Sequence, residues 1–593
     1  MSNLRPQADH DLYPPQALRD YAMIADGERG ALIGPRGEIC WLCAPRWDSD
    51  AVFSTLIGGS GVYAVTPEGR FVPGGHYEEG SLVWRSRWIT ETGIVECREA
   101  LAMPSASDRL VILRRVTAQE APARVHVVLH PLGGFGSEPV REAKRDGGVW
   151  TARVGDLYLR WTGGQQARIS TTDSAGPQFL LDLALDAGDH HDLVLEIGTK
   201  PLTGRPVEAA RAWASTEQAW DADVPALDNT IAPNDARQAY AVLRGMTGAG
   251  GGMVAATTTS LPERAEEGRN YDYRYVWIRD QCYAGQAVAA AGAHPLLDDA
   301  VRFVGARLHA DGPKLSPAYT ISGGPVPSQR ELHLPGYPGG YDRVGNHVNR
   351  QFQLDAFGEA LLLLGAAAHR DRLDEDGWAA AEIAASSIEQ RWQEKDAGIW
   401  ELNDRAWTQS RLICAAGLRR MAGAGAGRSR AERWSGLADT ILADTDAHAL
   451  HADGYWQRSP EDPAPDASLL LPPVRGLLPA DDPRARATVR AIKEHLAVRH
   501  YAYRFRHDDR PLQEAEGAFV LCGFVMAMAE YQQGNENEAL RWFECNREAC
   551  ATSGLYSEEY DITQRQLRGN LPQAFVHALL LESSAYLAGG AEF

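Results

Sequence analysis

The chain has 593 residues, with 59 Lys and Arg against 79 Asp and Glu, so its formal net charge is −20. Hydrophobic residues make up 44% and charged residues 23%, a globular balance that excludes a disordered chain and allows cores without disulfide staples. The acidic excess repels phosphate over most of the surface, which argues against nucleic acid or an anionic membrane as a partner.

The opening segment, Met1 to Gln16, is polar and carries Pro6, Pro14 and Pro15. It has no apolar h-region, so the expectation is a cytoplasmic protein, and no run of about 18 apolar residues predicts a membrane span. Short β-rich runs then alternate with turn signals: Gly61 to Thr66, Ser81 to Trp88, Arg109 to Val116, Arg124 to Leu129, Leu157 to Trp161 and Asp192 to Ile197. This pattern predicts an N-terminal antiparallel β-sandwich over residues 1–200. Within it, Cys40 and Cys43 form a C-x-x-C pair, but no second pair stands at zinc spacing. The eight cysteines read as reduced, mostly buried thiols, and no metal is expected.

Residues 201–233 read as a linker containing one helix. From residue 234 to 593 apolar residues recur at helical spacing, in Asn234 to Met246, Leu354 to Ala368, Trp378 to Trp392, Trp407 to Met421, Ala431 to Ala443, Ala485 to Leu496, Phe519 to Tyr531, Glu538 to Ala549 and Gln573 to Leu587. Shorter helices after Arg279, Leu296 and Asp466 bring the total to about a dozen, a number that can close in pairs into a toroid of six hairpins, an (α/α)6 barrel. Two long loops rich in Gly and Pro, Thr320 to Asn346 and Ala452 to Asp466, interrupt the helices, and loops of that length in a compact domain are usually functional.

Three segments combine aromatic and charged residues beyond what core packing needs: Arg269 to Asp280 (RNYDYRYVWIRD), Asp396 to Glu401 (DAGIWE) and Gly554 to Asp561 (GLYSEEYD). Cleaving a glycosidic bond needs two carboxyl groups, one to protonate the leaving oxygen and one on the other side of the ring. It also needs polar groups for the sugar hydroxyls and aromatic faces for its C–H surface. The count of 16 Trp and 20 Tyr against 13 Phe suits such a cleft, since these rings carry a polar edge.

Together with Ile24 to Gly34, Trp41 to Asp48, Gly336 to Asn346 and Gly569 to Phe575, these motifs resemble glycoside hydrolase family 15, the glucoamylases, glucodextranases and bacterial trehalase-like enzymes. The resemblance runs over most of the chain and implies a β-sandwich followed by an (α/α)6 barrel. It implies that Glu401, after Trp400, is the general acid, and that Glu558 is the general base in an anomer-inverting reaction. Arg279 and Asp280 match the pair that holds the terminal glucose. Tyr273, Trp277 and Trp400 match aromatics around it, and Arg504 matches an arginine of the same subsite. Glu559, beside Glu558, could exchange roles with it or bind sugar. The acid must hold a proton near neutral pH, so Glu401 is expected to have a raised pKa, whereas Glu558 is expected to stay ionised.

Departures from the family bear on specificity. Leu402 stands where starch-acting fungal members carry a second Glu, and Gln409-Ser410-Arg411 replaces the His-Ser-Lys of many trehalase-like sequences. The loop Gln329 to Gly340 offers Glu331, His333 and Tyr337, of which Glu331 is a third carboxylate for the base or the leaving sugar. The expected substrate is a small α-gluco-oligosaccharide hydrolysed from its non-reducing end, isomaltose ahead of trehalose and α-1,4-linked glucans. A glycoside phosphorylase needs only one catalytic carboxyl, and a non-catalytic sugar-binding protein needs neither. The pair Glu401 and Glu558 argues against both. Gly248 to Gly252 lacks the context of a phosphate loop, and no cofactor is expected.

Overall fold

The computed structural model describes residues 9–171, 176–292, 294–507 and 510–589. Two eight-stranded antiparallel sheets open the chain. One runs Ala22–Ala25, Gly30–Ile33, Glu38–Cys43, Val62–Pro67, Ala123–His130, Gln178–Leu185 and Arg168–Ser170, with Ala51–Phe53 paired to the third strand. The other runs Val140–Asp146, Val149–Val154, Leu157–Thr162, His190–Gly198, Arg109–Ala118, Ile94–Leu101, Trp84–Thr90 and Phe71–Tyr77. Side chains alternate across a strand. Phe179, Leu181, Leu183 and Leu185 therefore enter the space between the sheets, where they meet Ile112, Val127, Trp161 and Leu195. The strands Ala22–Ala25 and Glu38–Cys43 are buried on both faces, because the helical domain covers their outer side.

The helix Ala209–Asp223 links the two parts and lies back on the second sheet. Its Trp213 sits under the Arg98 guanidinium at 4.4 Å, and its Thr216 hydroxyl accepts from the Met103 N–H at 3.0 Å. Among the described residues that follow, twelve helices build the toroid: α1 (Pro233–Gly245), α2 (Ile278–Ala291), α3 (Pro295–Asp311), α4 (Asp355–His369), α5 (Glu375–Arg391), α6 (Thr408–Gly423), α7 (Arg428–Ala449), α8 (Leu471–Val474), α9 (Pro483–Leu496), α10 (Val520–Gln532), α11 (Glu536–Arg547) and α12 (Ala574–Leu587), with one further short turn of helix, Leu512–Ala515, in a loop between α9 and α10. The even-numbered helices touch in sequence and α12 returns to α2, closing an inner ring; the odd-numbered ones pack outside it. This is the (α/α)6 barrel expected from the periodicity.

Several helices differ from their sequence reading: those after Arg279 and Leu296, expected to be shorter, run over 14 and 17 residues, and two others change in extent or type. Helix α7 runs past Ala443 to Ala449, because Thr445 and Ala449 prolong the buried stripe of Trp434, Ala438, Ile441 and Leu442. The helix after Asp466 is a 3-10 turn, Ala467–Leu470, followed by the single turn α8, since Pro472 and Pro473 fit only a first helical turn.

The closest inner contact, α4 against α6, depends on two glycines. A Cβ on Gly358 would stand 2.7 Å from the backbone at Ile413 and Cys414, and one on Gly417 would stand 2.5 Å from the Gly358 carbonyl oxygen. Gly436, on outer helix α7, has open space around it. Gly358→Ala should therefore destabilise the protein by about 1–3 kcal/mol, since backbone cannot yield to the new methyl. Gly436→Ala should raise stability by roughly 0.5–1 kcal/mol. Thermal melts of the two variants check both signs.

Candidate active site

The site starts from residues 270–277. Alternate residues take opposite roles, as in an extended chain. Arg274 donates from Nε and Nη2 to Asp272 at 2.9 and 2.8 Å, while its Nη1 reaches into the β-sandwich, donating to the Ser49 carbonyl at 2.7 Å and lying 3.3 Å from Cys43 Sγ. Asp272 also accepts from the Gly345 N–H at 2.8 Å. On the other face, Trp277 Nε1 donates to Glu401 Oε1 at 2.6 Å and the Tyr273 hydroxyl donates to Glu558 Oε2 at 3.4 Å. The two rings meet edge to face at 5.4 Å, and Tyr271 lies parallel to Tyr273 at 6.2 Å. Tyr275 is buried in a small cluster with Trp277, Ala255, Ala318 and Val348, against which Tyr273 packs. Both candidate carboxylates thus hang on adjoining aromatic residues of one segment.

Glu401 ends a tight loop. Asp396 gathers the Gly398 N–H at 2.8 Å, the Ser410 hydroxyl at 2.8 Å and Arg411 Nη1 at 3.3 Å. Gly398 has φ +67°, and a Cβ there would lie 2.7 Å from the Trp407 ring. Glu401 itself has φ +55°, a conformation that costs a side-chain-bearing residue energy and is often found at functional positions. Trp400 Nε1 donates to Asp466 at 2.9 Å, and its ring packs edge-on against Phe519 at 5.2 Å. Ser410 and Arg411 therefore serve this loop, and Gln409 borders a separate small cavity behind Trp400. The residues that replace His-Ser-Lys therefore support the loop, and none of the three lines the main pocket.

Arg279, in the first turn of α2, donates to Glu401 Oε1 at 3.4 Å and to Gln353 at 3.1 Å, and lies 3.7 Å from Asp355 and 4.0 Å from Asp280. Burial, with the Glu401 charge adding and Arg279 opposing, lifts Asp280 to about 7. Burial also raises Asp355, against the pull of Arg279.

Glu558 precedes the strand Glu559–Asp561, which pairs with Ala518–Phe519 and Gln566–Arg568. Adjacent strand residues face opposite ways. Glu558 enters the pocket, while Glu559 turns behind it to accept from the Gly517 N–H at 2.8 Å and from Arg504 at 3.4 Å. Arg504 also binds Glu516 at 2.6 Å, and Arg269 binds Glu263 at 3.0 Å and Glu516 at 3.3 Å. Four buried carboxylates, Glu263, Glu516, Glu558 and Glu559, thus share two guanidinium groups. Against the cost of burial, Arg504 and His507 hold Glu516 down to about 2. Burial, then Glu263 and Glu516, push Glu559 up to about 8. Burial and Glu263, opposed by Arg504, push Glu558 well above the usual carboxylate range. This runs against the readily ionised base expected of Glu558: burial and the neighbouring acids oppose its charge.

The pocket itself has a volume of about 230 Å³. Tyr273, Arg279, Trp400, Glu401, Arg504 and Glu558 line it, as do Glu263, Arg269, Phe505, His507, Phe519 and Phe575. Trp277, Asp280 and Glu559 stand behind this lining and reach it through Glu401, Arg279 and Arg504. Glu331 is not brought to the pocket. It is exposed on a two-residue strand paired with Arg343–Val344, His333 is exposed, and the Tyr337 hydroxyl donates to the Gln16 carbonyl at 2.7 Å. The loop's contribution is instead Gln329, with Asn346 and His347 just beyond. Among the described residues, no group of three or more His, Cys, Asp or Glu is arranged to hold a metal ion.

An (α/α)6 barrel with an acid-bearing pocket at the N-terminal ends of its inner helices, walled by aromatic rings and arginines, is the architecture of a carbohydrate-active enzyme. The chain belongs to glycosyl hydrolases family 15, whose profile matches residues 236–585, and the trehalase-like N-terminal domain matches residues 14–220. It is a glycoside hydrolase. It is 31% identical to a trehalase of Mycobacterium tuberculosis, over 97% of this chain and 90% of that one. It is 25% identical to trehalase 1 of Sulfolobus acidocaldarius, over 95% and 98% of the two chains. A crystal structure of a bacterial glucoamylase complexed with acarbose superposes with a TM-score of 0.69 at 15% identity, covering 97% of this chain and 94% of that one, which bears out the fold.

In the role of base expected from the sequence, Glu558 must release its proton to act, so activity should fall as pH drops through its raised value. Removing the negative neighbour with Glu263→Gln should lower that value and move the acid limb of kcat/KM to lower pH. A pH–rate profile of the two proteins checks the direction.

Proposed function

We propose that the chain is an exo-acting, anomer-inverting glucohydrolase of small α-glucosides, with trehalose as its first substrate. The observation that carries the reaction is the placement of two carboxylates, Glu401 and Glu558, in one enclosed pocket, each tied to its own ring of the segment 270–277. Glu401 gives its proton to the glycosidic oxygen as the C1–O bond breaks. Glu558 takes a proton from water as the new C1–O bond forms on the opposite face, and two carboxyl groups roughly 6.5–9.5 Å apart leave room for that water. Arg279, held by Gln353 and Asp355, and Trp400, held by Asp466, grip the terminal glucose, with Tyr273 beneath it. Each turnover leaves one proton on Glu558 and one fewer on Glu401, and exchange with solvent restores both.

The similarity to two trehalases over nearly the whole chain supports trehalose, and the orientation of Ser410 and Arg411 removes one argument against it. Isomaltose is the second reading. It rests on Leu402, which lines the pocket where starch-acting relatives place a hydrogen-bonding Glu.

Proton NMR of fresh digests tests the mechanism and the linkage together. Inversion of trehalose releases one β-glucose from the attacked ring and one α-glucose from the leaving ring, whose own C1–O bond is untouched. Initial release of α-glucose alone defeats inversion, and faster turnover of isomaltose promotes the second reading. Glu401→Gln and Glu558→Gln should each lower disaccharide hydrolysis by about 100-fold or more. On α-glucosyl fluoride, whose leaving group needs no proton, Glu401→Gln should recover much of the rate and Glu558→Gln should not. The reverse pattern exchanges their roles.

A further inference from the structure

An enclosed pocket that cleaves from a chain end has one open side, and the leaving sugar must lie there. Two lining residues are exposed, Tyr271, with 39% of its surface open, and His347. The other rings of the wall are buried or half-buried. Tyr271 is held at its backbone and open at its side chain. Its carbonyl accepts from the Ser260 N–H at 3.0 Å and from Asn570 Nδ2 at 2.9 Å, while its ring continues the wall outward from Tyr273, tilted by only 10° from it. An aromatic face fixed in this way costs little entropy to bury against the C–H surface of a pyranose, and its hydroxyl stays at the edge for the ring's polar groups. His347 opens the 3-10 turn Val348–Arg350, and its neighbour Asn346 is fixed by donating to the Asp272 carbonyl at 3.3 Å.

We propose that Tyr271 and His347 form the subsite for the leaving sugar, Tyr271 as its stacking platform and His347 as a hydrogen-bonding partner, and that they set the preference for disaccharides. This rests on the glucohydrolase reading and extends it from the attacked ring to the departing one. Tyr271 and His347 are specificity-determining here, with no part in proton transfer.

The test compares two substrates that share the attacked glucose and differ in what leaves: the disaccharide that the wild type turns over fastest, and α-glucosyl fluoride, which has no leaving sugar. Tyr271→Ala should raise KM for the disaccharide, and its loss of kcat/KM there should exceed the loss on the fluoride by about tenfold or more. Tyr271→Phe, which keeps the face, should recover most of that difference. His347→Ala should show the same one-sided loss at smaller size. Melting curves establish that each variant is folded. Equal losses on both substrates, or an unchanged KM for the disaccharide in both alanine variants, overturn the subsite and leave the glucohydrolase reading standing. A wild type that hydrolyses neither substrate overturns both.

Discussion

The Asp272–Arg274 pair is the contact on which the site's geometry depends. It lies on the rear face of the segment whose front face carries Tyr271, Tyr273 and Trp277. Arg274 is almost fully buried, and so is its partner. Such a pair gains little net stability, because taking both charges out of water offsets their attraction. What it supplies is a fixed position. The fork of Arg274 is filled on one side by Asp272 and on the other by carbonyl groups of the β-sandwich at Trp47 and Ser49. Trp41 adds a second tie, donating from Nε1 to the Thr257 carbonyl at 2.9 Å, in the segment that hydrogen-bonds alongside residues 271–275. The N-terminal domain is therefore part of the scaffold of the pocket, although none of its described residues lines it.

The inner helices solve a second problem, the crowding of acids. Asp280 and Asp355 lie in first turns of α2 and α4, and Asp466 caps the turn before α8 by accepting from the Ser468 N–H. A helix N-terminus carries a partial positive charge and unpaired N–H groups, so it tolerates a buried carboxylate better than other parts of a helix. Arg279 and Arg504 supply full charges at the two sides of the pocket. Both sides carry more acid than base: near Glu401 three carboxylates, Glu401, Asp280 and Asp355, gather on Arg279, and near Glu558 four crowd on Arg269 and Arg504. Burial, which the arginines oppose, raises Asp280, Asp355, Glu558 and Glu559 together.

How much of this was legible in the sequence follows from how local each signal is. The helices were readable because a buried stripe repeats every three or four residues, and Phe519 to Tyr531 and Gln573 to Leu587 were placed within a residue at each end. Glu401 and Glu558 were readable as pocket residues because they stand beside marked neighbours in sequence, Gly-Ile-Trp before the first and Ser before the second. Glu263, Glu516 and His347 were not. Each is an ordinary polar residue in a loop, and only the fold brings Glu263 within reach of Glu558, 295 positions away in a chain of 593. Glu331 failed for the opposite reason. A carboxylate in a long loop looks functional, but the short pairing with Arg343–Val344 turns it to solvent and gives the pocket Gln329 instead. Gln409 to Arg411 misled because a motif compared residue by residue says nothing about which way its side chains point.

The left-handed backbone at Glu401 ties these threads together. Carrying a side chain at φ +55° costs on the order of 1 kcal/mol, which the loop must recover elsewhere. It does so through Asp396, whose three hydrogen bonds close the turn on Gly398, Ser410 and Arg411, and through Trp407, which fills the space that a Cβ on Gly398 would need. The result is a carboxylate on a rigid stalk, its Oε1 fixed by Trp277 and Arg279. A flexible glutamate would have to be ordered during the reaction, at an entropic cost of up to about 2 kcal/mol. Here that cost is met on folding, in a loop whose sequence is otherwise unfavourable, and the strain is the visible trace of it.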